Sequence, residues 1–407
     1  MEEKEKQLFV ACSNGNVEEI KILLQNNTDI KLNCIDEDHE GQTPLGIACD
    51  KGHIEIVKLL LNDERVEINK ARSNGRDGGK TPLWIACEKG RIEIVKLLLN
   101  DQRVDINKAT DSGETPFYVA CYNGHIEIVK LLLNDKRVDI NKVRCILLET
   151  PFWIACEEGH IEVVKSLLND NRIDGDINKV QHLSKTPFFI ACTIGHIEVV
   201  KLLLNDQRVD INKEDKYDYT PFNISCYYGH IEIVKLLLND KRVDINKPNK
   251  YNETPFYVAC ENGYVEIVEN MLGSGRKVNF DGDEEKIAIN IAREKLEDEN
   301  LNETEEEFLE RSEIYGNIIE LIKSFQRNPN ETITNLRIKL GLIGINFFFF
   351  FSFFLFFFFF SSFSSYSFFS FFFLSLSLKY QKKKESDAGM IYWIIVFLCD
   401  NFLQLKK

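Results

Sequence analysis

Residues 43–62 read TPLGIACDKGHIEIVKLLLN, and the fold follows from this stretch. Thr43 is a good N-cap, and Pro44 suits the first helical position, where its missing N–H costs nothing. A short helix therefore begins at Pro44, and Gly52 ends it as a left-handed C-cap would. A second helix follows from Ile54, with Glu55, Lys58 and Asn62 at i, i+3 and i+7 forming one narrow polar stripe. The rest of that helix is apolar, so it must be covered around most of its circumference. One helix pair cannot bury such a surface alone, whereas a row of pairs makes a continuous core.

The row is visible in the sequence. Thr-Pro recurs at Thr81, Thr115, Thr150, Thr186, Thr220 and Thr254, and the interhelical glycine at Gly90, Gly124, Gly159, Gly195, Gly229 and Gly263. Between pairs runs an extended polar segment such as Arg65–Lys70, leading to a turn-rich tip that reads as a β-finger. Eight of the eleven cysteines (Cys12, Cys49, Cys87, Cys121, Cys156, Cys192, Cys226 and Cys260) recur at 34 to 38 residues and are one position copied. Helices pack about 8 to 10 Å apart, beyond the roughly 4.4 to 6.8 Å between Cα atoms that a disulfide spans. These cysteines read as small buried core residues. Cys34, Cys145 and Cys399 fall outside the pattern and form no ligand spacing.

The motifs TPLGIACDKGHIEIVKLLLN, TPFYVACYNGHIEIVKLLLN (115–134) and TPFNISCYYGHIEIVKLLLN (220–239) resemble the ankyrin repeat. The resemblance covers about residues 7 to 325 and implies an all-α solenoid of about nine helix pairs with short β-finger turns. The first pair (about 7–33) and the last (283–325) are caps, degenerate because each has one face without a neighbour. Residues 326–346 read as a linker and 379–407 as a C-terminal tail.

Three departures from the family pattern stand out. The usual His two residues after the proline is replaced by Gly46, Trp84, Tyr118, Trp153, Phe189, Asn223 and Tyr257, which puts its hydrogen bonds in question and offers aromatic packing instead. The Gly-Ala after the second helix gives way to a longer segment, Asn62–Val66, expected only to lengthen a surface loop. The last repeat carries an acidic insertion, LEDENLNETEEEFLERSE, read as a solvated helical extension.

Catalysis has no evident address. His53, His125, His160, His196 and His230 sit in the same GHIE context a repeat apart, so they cannot converge on one ion as zinc requires; a capping role is expected. Asn74–Thr81 approaches a phosphate-binding loop, but Asn74 replaces its first glycine and Thr81 is already a helix cap. No nucleophile elbow, HExxH or paired-cysteine spacing is present. The reading is of a non-enzyme with no cofactor and no metal. A net charge of −14 argues against a nucleic-acid partner, which requires basic residues gathered on one face.

Binding is implied by the resemblance, since ankyrin partners lie across the finger tips and the exposed ends of the first helices. Those positions are mostly polar early in the stack. Later they become apolar and tyrosine-rich: Ile146, Leu147 and Leu148 in the fifth finger, Leu183 and Ile194 in the sixth repeat, Tyr217, Tyr219, Tyr227 and Tyr228 in the seventh, and Tyr251 in the eighth. Clustered exposed Tyr and apolar residues are typical of interface cores. The alternative is that Ile146–Leu148 fold back onto their own finger. The expected protein is thus a monomeric scaffold for an unidentified protein partner, or an accessory ankyrin subunit of an enzyme or membrane complex.

From Leu340 to Leu378 the chain carries no charge, and 347–378 is almost wholly Phe, Ser and Leu. A bilayer span needs about 20 apolar residues, so this tract reads either as a C-terminal anchor leaving the repeats in the cytosol or as the translation of T-rich or A-rich noncoding sequence. MEEKEKQLF at the N-terminus lacks the apolar region of a secretory signal, so the expected location is cytoplasmic.

Overall fold

The structure, a computed structural model, describes residues 3–342 apart from 27–28, 37–40, 73–77, 146, 174, 176, 182, 280–283 and 298–303. Met1–Leu340 forms one compact unit; the Phe/Ser tract lies outside the described residues. Among the described residues this unit holds nineteen α-helices. Eighteen pair as repeats: α1 (Glu3–Asn14) with α2 (Val17–Asn26), α3 (Pro44–Lys51) with α4 (Ile54–Leu61), α5 (Pro82–Glu88) with α6 (Ile92–Asn100), and α7 (Pro116–Tyr122) with α8 (Ile126–Asn134). There follow α9 (Pro151–Glu157) with α10 (Ile161–Leu168), α11 (Pro187–Ile194) with α12 (Ile197–Leu204), and α13 (Pro221–Tyr227) with α14 (Ile231–Asn239). The last pairs are α15 (Pro255–Glu261) with α16 (Val265–Gly273) and α17 (Glu284–Glu297) with α18 (Glu305–Arg327).

Each Thr-Pro acts as the sequence implies. The Thr115 hydroxyl accepts from the Tyr118 N–H at 3.0 Å, and the equivalent bond recurs from Thr43 to Thr254. The residue after each proline faces the core: Phe117, Phe152, Phe188 and Phe222 are each less than 2% exposed, and burying one such ring is worth about 1.5–3 kcal/mol. The eight periodic cysteines are free and buried, and burial pushes their thiols well above the usual range, so they are inert filler.

The ring bonds of the GHIE histidines all run in one direction, back to the preceding repeat. The ring Nε2 of His125 bonds the Glu88 carbonyl at 3.0 Å, that of His160 the Tyr122 carbonyl at 2.8 Å and that of His196 the Glu157 carbonyl at 2.7 Å. A carbonyl only accepts, so Nε2 carries the proton. These histidines do cap, but they cap the preceding repeat's first helix; on their own helices they make no cap bond. Arg91 does the same for the Asp50 carbonyl.

The segment expected merely to lengthen a loop is instead a clamp. Asp135 holds Arg137 in a bidentate pair, and Arg137 Nη2 donates to the Leu99 carbonyl, an orphan acceptor at the end of α6. Asp101–Arg103, Asp170–Arg172, Asp206–Arg208 and Asp240–Arg242 repeat this arrangement. The Arg side-chain bonds hold the Asp carboxyls below their ordinary range. Alongside runs an asparagine ladder. Asn107 Nδ2 donates to the Arg137 carbonyl while its Oδ1 accepts the Asp139 N–H, and Asn69 and Asn212 do likewise one repeat onward each time.

The fingers contain no strands among the described residues, only an isolated bridge between Asp36 and Gln42. Each tip is a tight turn closed by two backbone bonds, such as Asp215 N–H to the Tyr219 carbonyl and Asp218 N–H to the Asp215 carbonyl, and late tips are tied to their neighbours by another, such as Lys250 N–H to the Tyr217 carbonyl. At the far end, the Thr304–Glu307 capping box starts α18 inside the acidic insertion, and residues 308–310 are exposed. The segment expected as a linker contains α19 (Pro329–Lys339), which buries Thr332 and Leu336 against α16 and α18 and pairs Lys339 with Glu269 at 2.5 Å.

Candidate protein-binding face

The finger tips and the C-terminal ends of the first helices carry the residues singled out from the sequence. Tyr219, at the base of the seventh finger, meets Tyr227 edge-on with ring centres 6.2 Å apart, and Tyr227 meets Tyr228 edge-on at 5.1 Å. Tyr228 stacks on His230, whose ring is fixed by its bond to the Thr193 carbonyl. These three tyrosines form one aromatic surface, with Tyr227 and Tyr228 42% and 50% exposed. Ile194, also exposed, holds on α11 the position just before the interhelical glycine that Tyr228 holds in the next repeat.

Tyr217 and Tyr251 form a second group, joined through a lysine. Lys250 Nζ lies 3.9 Å from the Tyr217 ring centre and 5.1 Å from that of Tyr251, and Lys216 lies over Tyr217 at 4.6 Å. Tyr217 is therefore partly covered, as is Leu183, whereas Tyr251 is exposed. In the fifth finger Ile146 lies outside the described residues, Leu147 is half-buried and Leu148 is exposed.

Leu148 is strained. The residue two before each Thr-Pro threonine adopts positive φ: Gly79 and Gly113 in early fingers, then Leu148 (φ 58°), Ser184, Asp218 and Asn252. Small polar residues tolerate that conformation, but a leucine there costs roughly 1–2 kcal/mol. Leu148→Gly should raise stability by about 0.5–1 kcal/mol after the entropy a glycine adds to the unfolded chain, a gain measurable by urea titration. No gain would mean that Leu148 packs more than its exposure indicates.

Other residues contribute without having been singled out. Tyr122, at the position of Tyr227 in the fourth repeat, is 46% exposed. The residues replacing the family's histidine recover part of its bonding. The Tyr118 hydroxyl donates to Glu149 at 2.9 Å, Trp153 Nε1 to the Lys185 carbonyl at 3.0 Å and Asn223 Nδ2 to the Glu253 carbonyl at 3.1 Å, each reaching the next finger. Aromatic packing alone serves at Phe189, beneath Lys185.

Glu157, at the end of α9, has its carboxyl pushed up to about 7 by burial and by neighbouring Glu149 and Glu158. Unfolding lowers that value, so the unfolded chain ionises first, and folding loses stability as pH rises from the ordinary Glu range to about 7. Glu157→Gln should therefore raise the melting temperature at pH 8 and leave it unchanged at pH 4; equal shifts at both would remove the titration as the cause.

Among the described residues no group of three or more His, Cys, Asp or Glu is placed to hold a metal ion. The hollows at α12, α14 and α16 (about 360 Å³) and at α16 and α19 (about 420 Å³) are shallow and open. Thr81, the last residue of the near-match to a phosphate loop, is spent capping α5, while Asn74–Asp77 lie outside the described residues.

The architecture is matched by comparison with known families. The family model described as ankyrin repeats (3 copies) matches residues 2–72, 66–144, 139–215 and 204–282 in succession. No curated protein matches the chain. The family match extends over well more than half of the sequence and places each boundary near a finger, in step with the helix pairs: the chain belongs to the ankyrin repeat family.

Proposed function

We propose that this protein is a noncatalytic scaffold that holds a partner protein across the finger tips and first-helix ends of repeats five to eight. Ankyrin repeats are a protein-interaction scaffold as a class, and what favours this stretch is the contiguous aromatic surface of Tyr219, Tyr227 and Tyr228. Tyrosines present large rigid area at low entropic cost and are enriched where binding energy concentrates. Ile194 and Tyr251 extend that surface, and the strain at Leu148 fits a residue kept for contact, since a glycine would satisfy the backbone better.

The test is proximity labelling in cells with the Tyr227→Ala/Tyr228→Ala/Leu147→Asp variant. The expected result is loss of specific labelled partners while circular dichroism and the thermal transition stay as in the parent. Unchanged partners on a folded stack would sink the reading. The second part of the proposal is that the uncharged 340–378 segment tethers the stack to a membrane. Among the described residues no helix is long and apolar enough to cross a bilayer, so the tether rests on the tract's composition. Full-length chain retained in carbonate-washed membranes supports it; a transcript ending or spliced near Gly341 removes it.

A further inference from the structure

We infer that the partner segment seated on the late repeats is cationic, with lysine or arginine next to apolar side chains; this rests on the proposed binding face and specifies its chemistry. The aromatic surface of Tyr219, Tyr227 and Tyr228 continues into the eighth and ninth repeats as tyrosine beside carboxylate. Glu253 and Glu261 hold in the eighth repeat the positions that Tyr219 and Tyr227 hold in the seventh, and the first helices of these repeats pack side by side. Burial together with these carboxylates raises the neighbouring phenols, Glu253 at Tyr219 and Glu261, Glu253 and Glu294 at Tyr257. Tyr257 is half-buried, whereas Trp84, Tyr118 and Trp153 at the same position are buried.

These carboxylates are not neutralised, and one of them is held in place. Glu253 accepts from Asn249 Nδ2 at 2.7 Å, and the helix end bearing Glu261 is pinned by the Tyr315 hydroxyl on the Glu261 carbonyl at 2.8 Å. Among the described residues none of the three carboxylates lies within ion-pair distance of a lysine or arginine. The nearby cations are engaged elsewhere: Lys250 and Lys216 lie on the Tyr217 and Tyr251 rings at the finger tips, and Arg311 holds the Lys295 carbonyl and lies over Phe308.

Exposed Tyr227 and Tyr228, with half-buried Tyr219 and Tyr257 and unpaired carboxylates beside them, match a positive group twice over. The ring faces attract a guanidinium or ammonium, and the carboxylates supply the counter-charge. An acidic partner would place like charge against Glu253, Glu261 and Glu294, which costs several-fold in affinity even at an exposed rim. Fully apolar partners would leave those carboxylates desolvated without compensation.

Random twelve-residue peptides displayed on phage, panned on the full-length chain and counter-selected on its Tyr227→Ser/Tyr228→Ser variant, test this. The expected enrichment is of net-positive peptides with Arg or Lys beside Leu, Phe or Trp. Their affinity should fall roughly tenfold with Glu261→Gln/Glu294→Gln and fall further as salt rises. Enriched peptides that need the tyrosines but are neutral or acidic would overturn the charge assignment and leave the binding face standing. If no tyrosine-dependent peptides emerge from a stack that stays folded, the face and the inference fail together. Glu253→Gln, which keeps the amide bond to Asn249 possible, serves as a third variant should either of the others unfold.

Discussion

Replacing Gly124 with alanine is expected to destabilise the stack by roughly 2–4 kcal/mol. Two separate causes add. Gly124 has φ 69°, a left-handed conformation that a Cβ makes unfavourable, and the added Cβ would lie 2.5 Å from Nδ1 of His160. That ring cannot withdraw freely, because its other nitrogen is bonded to the Tyr122 carbonyl. A double-mutant cycle separates the terms. His160→Ala removes the collision but leaves the backbone strain, so Gly124→Ala should cost only about 1–2 kcal/mol in that background. A cycle with no coupling would show that the ring and the glycine are independent, against the geometry described above.

The second large effect is expected in the fifth repeat. Phe152 is fully buried on α9, and Phe152→Ala should cost about 3–5 kcal/mol. In a stack whose repeats touch only their neighbours, such a loss near the middle also divides the array into two cooperative blocks. The unfolding curve in urea should therefore become biphasic. Phe256→Ala removes the same chemistry near the C-terminal end, where it should shift the curve with less broadening. A single sharp transition for Phe152→Ala would mean that coupling between repeats exceeds the damage to one of them.

Helix starts and stops were legible because each is written in a single local signal: Thr-Pro for the cap and first turn, glycine for the left-handed exit. Cys49, Cys121 and their copies were legible by period alone. The clamp of Asp135 and Arg137 and the ladder through Asn107 were equally periodic in sequence, yet they read as loop. Hydrophobic patterning reports burial, whereas these bonds join partly exposed side chains to carbonyls some 30 to 38 residues away. Helix α19 was hidden for a related reason, since its amphipathic pattern is weak and only Thr332 and Leu336 are buried on it.

On the candidate face, the exposure of Tyr227, Tyr228 and Tyr251 followed from their place in the repeat. Tyr217 differs because Lys216 and Lys250 cover its ring, a contact between adjacent fingers that no reading of one finger contains. Tyr122 occupies the same place as Tyr227 but stands alone in its repeat, with Asn123 where Tyr228 would be, so it did not register as part of a cluster. Carboxylates bordering Tyr257 were out of reach for the opposite reason: Glu253, Glu261 and Glu294 belong to a finger, a helix end and the last repeat's first helix, and only stacking brings them to one ring.

The backward run of the histidine and arginine caps has a consequence for how the chain is made. The first helices of repeats one to six are each completed by a histidine or arginine encoded later, as α5 is by His125, 37 residues beyond Glu88. A ribosome adding about 5–20 residues per second supplies that partner roughly 2–7 s after the helix it finishes. Each of these newly emerged repeats thus waits with open carbonyls until its successor arrives and seals it, so nascent chains should gain protection from protease in steps of one repeat, one repeat behind the exit of the tunnel.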